Sequence, residues 1–335
     1  MSTKPTIHDV AARAGVSKSL VSLALRQSPK VSPESRAAIL KAAAELGYRT
    51  NAAARSLADS RSRTIGVLVL DLHNPIFAQI LDGVQSEVRS HGYSVMLVTG
   101  NSDPTTEQAE LDKLLEFQIE GLILISHRMS NATVMQFSRE VPISIITRSD
   151  IRDDNIATIS NDDTYGAQLA VQHLAALGHR RIAHISGGNN TVAQDRERGY
   201  IEAMRSAGLE EFTVVIPGAF SDMGGYEAAR TALEAPDTPT ALFVANDIAA
   251  VGAMAAVEES GRLVPEDISI VGYDGMALGA MRSLNLTTVA QPLTEMGRLG
   301  ARALFQRLDT PHEASGHVAM SPTLIERGTT ATLQK

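Results

Sequence analysis

The stretch TIHDVAARAGVSKSLVSLAL, residues 6–25, predicts two short helices joined by a tight turn. Thr6 precedes Asp9 by three residues, a spacing close to that of a capping box at the start of a helix. Apolar residues then recur at helical spacing until Gly15, and glycine commonly ends a helix. Ser17 is a good N-cap for the second helix. This pattern is typical of a helix-turn-helix, whose second helix enters the major groove, although ordinary helical hairpins share it.

A third helix and a strong charge imbalance follow from the next residues. Ser32 is a good capping residue, Pro33 suits a first helical turn, and Gly47 is placed to end the helix. Residues 1–63 hold eleven lysines and arginines against four aspartates and glutamates, a balance of +7; because the whole chain carries −8, the remainder carries −15. This asymmetry predicts a polyanion-binding head on an acidic body. The alternative is a basic surface that merely solvates a small domain.

From Thr64 onward, short apolar runs alternate with helical patterns. TIGVLVL at 64–70 opens one series of such runs, and a second series includes ALFVAN at 241–246. Continuous apolar strands between helices predict parallel sheets covered on both faces, and two series predict two doubly wound lobes. We therefore expect an α/β fold in which an all-α head precedes a two-lobed body.

Polar residues gather where the predicted strands of the body end. Ligands of open α/β sheets bind at the carboxyl ends of the strands, so facing lobes of this kind would form a binding cleft. The candidate residues are Asp71, His73, Asn101, Ser126, Arg148, Asn190, Asn246, Asp247 and Asp274.

The helical segments of the head and several stretches of the body closely resemble those of the LacI/GalR family of transcription regulators. The resemblance runs through TIHDVAARAGVSKSLVSLALRQSPKVSPESRAAILKAAAELGYRTNAAARSLA and continues in RTIGVLVLDLHNPIFAQILDGV, HLAALGHRRIAHISG, ALFVANDIAAVGAM and VPEDISIVGYDG. It implies a sequence-specific, effector-controlled repressor with a periplasmic-binding-protein-like body. The implied divisions are a helix-turn-helix domain at 1–50, a hinge helix and linker at 51–63, an N-terminal lobe at 64–161 with 290–320, and a C-terminal lobe at 162–289 with 321–330.

The resemblance also implies that Ser17 to Arg26 forms the recognition helix. The implied DNA contacts in it are Ser17, Lys18, Ser19, Leu20, Ser22, Leu23 and Arg26. Leu20 replaces a usual threonine, Leu23 a frequent arginine and Arg26 an asparagine, so we expect an altered operator half-site. Arginine reads guanine edges, whereas an apolar side chain contacts only a thymine methyl. The alternatives are core packing for Leu20 and a phosphate contact for Lys18.

The segment NAAARSLADSRSR at 51–63 is the implied hinge. Its helical part is short, and isolated helices below ~12–15 residues are marginal in water. The implied DNA contacts are Asn51, Ala54, Arg55 and Leu57. Leu57 matches an apolar wedge that kinks the duplex from the minor groove. We expect the hinge helix to form on DNA and to be lost on release, and the alternative is a passive flexible linker.

Three further matches lie in the body. Arg196 occupies a position where family members place an arginine that contacts the ligand, and Asn246 and Asp274 match further pocket positions. Arginine, amide and carboxylate together suit the paired hydroxyls of a sugar or polyol. Phe220 matches a ring that stacks on the ligand. Core packing is the alternative for Phe220, and loop capping is the alternative for Asn246 and Asp274.

The remaining implied pocket residues are Phe77, Asn190 and Val192. Asn190 is neither the arginine nor the serine that some family members have there. The resemblance therefore leaves the effector open among sugars, polyols and nucleoside-like compounds.

Several other classes of protein are disfavoured. The chain has no cysteine, no common nucleotide-binding, zinc-protease or esterase motif, and no metal-ligand spacing among its nine histidines. We expect no enzyme activity, no cofactor and no metal. With no signal-peptide pattern, no apolar run of ~18 residues and no heptad tail, a cytoplasmic homodimer on a pseudo-palindromic DNA operator is expected. The alternatives are a regulator controlled by a protein partner and a ligand-carrier protein.

Overall fold

The computed structural model describes residues 5–25, 28–48, 61–147, 150–151, 153–310 and 316–333. The chain divides into two compact units, residues 1–63 and 64–335. Six residues with predicted roles lie outside the described residues, and their roles remain predictions. They are Arg26, Asn51, Ala54, Arg55, Leu57 and Arg148.

The head contains three helices, α1 (Ile7–Ala14), α2 (Lys18–Leu25) and α3 (Pro33–Leu46). The caps read from the sequence are present. The backbone N of Thr6 donates to the Asp9 carboxylate at 2.7 Å, and the hydroxyl of Ser17 accepts from the backbone N of Leu20 at 3.2 Å. Gly15 ends α1 with a φ of 67°, a left-handed conformation that favours glycine. The helix-turn-helix prediction is therefore confirmed at the level of the fold.

The core of the head is small and apolar. Val10 of α1, Val21 of α2 and Ile39 of α3 are completely buried against one another and against small alanines. Arg13 also pairs with Glu45 at 2.6 Å, which ties α1 to α3, but both side chains are exposed and such pairs contribute little. Burial of the apolar side chains thus stabilises the three-helix arrangement.

The body contains twelve strands, eight α-helices and two short 3₁₀ helices (Glu210–Phe212 and Ala277–Ala280) among its described residues. The strands are β1 (Thr64–Val69), β2 (Ser94–Thr99), β3 (Gly121–Ile125), β4 (Ile143–Ile146), β5 (Ile156–Asn161), β6 (Ile182–Ile185), β7 (Val214–Ile216), β8 (Ala241–Val244), β9 (Ser269–Asp274), β10 (Thr287–Ala290), β11 (His317–Met320) and β12 (Thr323–Ile325). The α-helices are α4 (Ile76–Ser90), α5 (Pro104–Glu116), α6 (Asn131–Phe137), α7 (Asp163–Ala176), α8 (Thr191–Ser206), α9 (Asp222–Glu234), α10 (Asp247–Glu259) and α11 (Leu293–Asp309).

These strands form two sheets of six. One sheet has the order β11-β5-β4-β3-β1-β2 with every pair parallel. The other has the order β12-β10-β9-β8-β6-β7, and its pairs are parallel except for β12, which runs antiparallel to β10. Strands β3, β4, β6 and β8 are buried along their whole length, as expected for sheets covered on both faces. The predicted doubly wound α/β fold is confirmed.

The chain passes between the two sheets three times, after β5, after β10 and after β11. Helix α11 follows the second passage and packs on the first sheet beside α4. The two helices approach closely at Gly83 and Gly297. A Cβ atom at Gly297 would lie 2.0 Å from the carbonyl oxygen of Ile80, so only glycine permits this crossing.

The α4–α11 crossing gives a test of the packing. We expect Gly297→Ala to lower the melting temperature, because separating two helices to admit a methyl group costs about 1–3 kcal/mol. Gly316→Ala is the control, since a Cβ atom there meets nothing within 4 Å. Differential scanning calorimetry of both variants checks the expectation. Equal melting temperatures for the two variants would contradict the crossing as described.

Candidate functional site

A cleft of about 640 Å³ lies between the two sheets of the body. Its walls come from the segments that follow the strands, which is where open α/β sheets bind ligands. The volume is in the range of small-molecule sites. Eight of the predicted ligand residues line it: Asp71, Phe77, Ser126, Asn190, Val192, Arg196, Phe220 and Asp274.

Arg196 lies on α8 at the base of the cleft and is buried, with 3% exposure. Its Nε donates to Asp163 Oδ1 at 2.9 Å, and Nη2 lies 3.4 Å from Asp274 Oδ1. Its Nη1 donates to the carbonyl oxygen of Ala245. Burial opposes the charge of the guanidinium, but the carboxylates of Asp163 and Asp274 outweigh burial and raise the pKa of Arg196. The side chain therefore stays charged and is held in one position.

Two aromatic rings flank the same guanidinium. Its carbon lies 3.6 Å from the ring centre of Tyr273 and 5.6 Å from that of Phe220, both within cation–π range. Phe220 approaches Gly187 so closely that a Cβ atom there would lie 2.3 Å from its Cζ. Gly187 thus makes room for a half-buried ring at the cleft surface, where its apolar face is available to a ligand.

Asp274 ends β9 with a φ of 112°, a conformation that is strained for a residue with a side chain. Its Oδ1 accepts a hydrogen bond from Nε2 of Gln291 at 2.7 Å. Burial raises the pKa of Asp274 to about 7 although the charge of Arg196 lowers it, and the neighbouring carboxylate of Asp247 raises it further. The backbone strain and the buried carboxyl both occur at a cleft-lining position, as is common at functional sites.

Asp247 does not line the cleft, but it binds the segment next to Asp274. Its Oδ1 accepts from the hydroxyl of Thr288 at 2.5 Å, and its Oδ2 accepts from the backbone N of Met276 at 2.7 Å. Burial raises the pKa of Asp247 to about 6 against the opposing effect of these hydrogen bonds. Asp247 therefore fixes the segment that directly follows Asp274.

The opposite wall contains residues 126–131, which follow β3. Glu107 of α5 is completely buried and accepts hydrogen bonds from the backbone N atoms of Arg128 and Met129 at 2.8 and 2.9 Å. A Cβ atom at Gly100 would lie 2.1 Å from Glu107 Cγ, so glycine is required beside this carboxylate. Burial raises the pKa of Glu107 against the lowering effect of these hydrogen bonds. Glu107 thus sets the path of the wall without lining the cleft.

Three predicted ligand residues are absent from the cleft lining. His73 is 92% exposed and contacts Asp71 at 2.6 Å, and Asn101 is exposed in the turn after β2. Asn246 is completely buried and caps α10, because its Oδ1 accepts from the backbone N of Ala249 at 2.9 Å. Within the described part of the chain, Nδ2 of Asn246 has no hydrogen-bond partner.

The predicted DNA-contacting residues of α2 and its N-cap differ in exposure. Ser17, Lys18 and Ser19 are exposed, whereas Ser22 is half-buried. Leu20 and Leu23 are also half-buried and pack against the core of the head. The exposed residues at the start of α2 are accordingly accessible to DNA, while the two leucines also pack against the core of the head.

Comparison with known proteins agrees with both units. Residues 6–51 match the bacterial regulatory proteins of the lacI family, and residues 171–330 match the periplasmic binding protein-like domain. The transcriptional repressor CytR of Escherichia coli K12 is 33% identical over 99% of this chain and 98% of its own length. The chain belongs to the LacI family. It is a DNA-binding transcription regulator with a two-lobed effector-binding type of body.

Two solved structures are similar over nearly the whole length of this LacI-family chain. The Lac repressor dimer bound to operator and the anti-inducer ONPF has a TM-score of 0.88 and 30% identity, covering 98% of this chain and 100% of its own. The complex of the regulator CelR with cellobiose has a TM-score of 0.72 and 31% identity, covering 97% and 99%.

Sequence reasoning missed three contributors to the site of this LacI-family protein. Gln291 follows β10, so the rule that selected polar residues at strand ends would have found it. Asp163 opens α7 and contacts a residue 33 positions away, which no local pattern reveals. Glu107 is missed because its partners are backbone amides of a distant loop.

The described part of the chain contains neither a candidate metal cluster nor a candidate membrane-spanning helix. No group of three histidine, aspartate or glutamate side chains there is arranged to hold a metal ion. None of the helices described combines the length and the apolar character of a membrane span.

The raised pKa of Asp274 predicts a pH-dependent stability. Between the ordinary carboxyl value of 3.8 and about 7, the folded state binds more protons than the unfolded state, so stability falls as the pH rises through this window. We expect Asp274→Asn to remove this loss. Its melting temperature relative to wild type should be higher at pH 8 than at pH 5.

Thermal unfolding at the two pH values measures the difference, with Asp237→Asn as the control because Asp237 is exposed on the same lobe. The control should give the same difference from wild type at both pH values. A pH-independent effect of Asp274→Asn would show that Asp274 ionises normally.

Proposed function

We propose that this regulator is a repressor whose operator binding is controlled by a small, hydroxyl-bearing effector in the cleft. The observation that carries the proposal is Arg196, a fully charged side chain buried at the base of the cleft between Asp163 and Asp274. A buried charged cluster that faces an open cavity is a characteristic of binding sites.

The chemistry at the base suits a sugar, a polyol or the ribose of a nucleoside. Carboxylate oxygens of Asp163 and Asp274 accept hydrogen bonds from hydroxyl groups, and guanidinium N–H groups donate to hydroxyl oxygens. Phe220 adds an apolar ring face at the cleft surface. Binding of cellobiose by CelR supports this ligand class.

We further propose a homodimer that binds a pseudo-palindromic operator in the cytoplasm, without catalysing a reaction. Two heads are required to meet two half-sites. The operator-bound dimer of the Lac repressor supports this assembly. In this proposal, residues 51–63 form a hinge that is helical only on DNA, with Leu57 as a wedge in the minor groove.

The effector would act through the spacing of the two lobes. A ligand that favours one spacing shifts the hinge between its ordered and disordered forms, and it needs no contact with the DNA to do so. The alternative is control by a protein partner. Thermal-shift screening against sugars, polyols and nucleosides separates the two, because a ligand at 100 times its Kd stabilises the fold by ~2.7 kcal/mol.

The pocket assignment predicts the effect of two substitutions. Arg196→Ala and Asp274→Ala should each weaken binding of the compound that the screen identifies. Loss of a hydrogen bond to a charged group costs ~1.5–3 kcal/mol, or about 10- to 150-fold in affinity. Isothermal titration calorimetry measures the affinity. Operator affinity without effector should stay close to that of wild type, because neither residue lies in the head.

Arg198→Ala is the matched control for these substitutions. Arg198 lies two residues further along α8, is exposed and pairs with Asp195 at 2.8 Å. It should leave effector affinity unchanged. Unchanged affinity in the Arg196 and Asp274 variants as well would refute the assignment of the pocket.

The recognition helix gives a separate prediction on specificity. Leu23→Arg should shift the preferred operator toward guanine at one position in each half-site, because a guanidinium reads the guanine edge. The arginine stem can cover the apolar surface that Leu23 now covers. Selection from a randomised operator library measures the shift.

Leu40→Arg is the control for a new arginine in the head, since Leu40 is 48% exposed on α3. It should leave the selected sequence unchanged. If Leu23→Arg also selects the wild-type operator, Leu23 contacts the protein or the DNA backbone only.

A further inference from the structure

We propose that the cleft selects against anions, so that the effector is an uncharged molecule rather than its phosphorylated derivative. The inference rests on the proposed function, because it concerns the ligand of the same cleft. It follows from the ion pairs that Arg196 already forms with Asp163 and Asp274 at the base of the cleft.

The arginine at the base is not available to neutralise a ligand anion. Two buried carboxylates, those of Asp163 and Asp274, lie within 2.9 and 3.4 Å of its nitrogen atoms. With both carboxylates ionised, this group of three side chains carries one net negative charge. A phosphate group placed there would meet two carboxylates for one guanidinium.

The donor groups of Arg196 are also engaged. Its Nε, Nη1 and Nη2 contact Asp163, the carbonyl oxygen of Ala245 and Asp274 respectively. A neutral hydroxyl can add to such an arrangement, since it accepts from a remaining N–H and donates to a carboxylate. A fully ionised phosphate can also accept from such an N–H, but it has no proton to donate to either carboxylate, so it lies unpaired beside two like charges.

The charges on the cleft walls do not reverse this balance. Among the described residues that line the cleft, the aspartates are Asp71, Asp163 and Asp274, and the arginines are Arg128 and Arg196. Burial raises the pKa of Asp71, but hydrogen bonds from His73 lower it more, so Asp71 stays ionised. Arg128 is exposed on the wall opposite Arg196. Of the described arginines that line the cleft, Arg128 is therefore the one that an anionic group would contact.

Matched pairs of compounds test the inference. We would titrate the wild-type protein at pH 8 with D-ribose and ribose 5-phosphate, with adenosine and AMP, and with cytidine and CMP. In every pair that binds, the neutral compound should bind at least about tenfold more tightly, because close like charges in a partly buried site repel strongly. A phosphorylated compound that binds as tightly as its neutral partner, or more tightly, overturns the inference.

Variants assign the selectivity to the base of the cleft. Asp163→Asn should narrow the affinity gap between the two members of a pair, because it removes one of the two carboxylates beside Arg196. Asp237→Asn, on the exposed surface of the same lobe, should leave the gap unchanged. Arg128→Ala changes an exposed side chain and should widen the gap. An unchanged gap in both Asp163→Asn and Arg128→Ala contradicts the inference.

Failure of the proposed function would look different. If neither member of any pair binds, while cellobiose and the polyols of the screen also give no stabilisation, the assignment of a hydroxyl-bearing effector is wrong, and the inference falls with it. If a phosphorylated compound binds more tightly than its neutral partner, the cleft remains the effector site. Only the proposed selection against anions is then refuted.

Discussion

A guanidinium that is only 3% exposed must be surrounded by acceptors, because a charge taken out of water is costly unless partners replace its hydration. In this protein the acceptors of Arg196 come from the first residue of α7, the residue that follows β8 and the last residue of β9. Three further features surround this guanidinium. They are the strained backbone of Asp274, the space that Gly187 leaves for Phe220, and the cation–π contact with Tyr273. The base of the cleft is therefore a preorganised polar surface.

This cluster lies where the chain passes between the sheets. Asn161 ends β5 and donates to the hydroxyl of Tyr273 at 2.8 Å, and Asp163 follows two residues later. Gln291, just after β10, donates to Asp274. Two of the three passages between the lobes are thus hydrogen-bonded to the residues proposed to hold the effector. Under the proposed function, small movements of a ligand-contacting side chain would act on the segments that connect the two lobes.

The fold was predictable because its signals are local: caps and glycines mark the helices of the head, and apolar runs mark the strands. Arg196 and Asp274 were found through motif positions and both line the cleft. Asn246 was found in the same way, yet its side chain caps α10 behind the lining. Glu107 and Asp163 escaped prediction because their roles depend on partners 21 and 33 residues away, and sequence spacing does not encode such contacts.

Buried ion pairs are weak evidence for stability, since well-packed apolar residues of similar volume often stabilise a protein as much or more. The cluster around Arg196 is therefore better understood through binding than through folding. A ligand shifts a conformational equilibrium only by its difference in affinity for the two forms. In the present form Asp274 Oδ1 accepts from Gln291 and faces Arg196. Under the proposed function, a ligand hydroxyl donates to the same carboxylate that Gln291 already holds, so effector occupancy and the passage after β10 share one side chain.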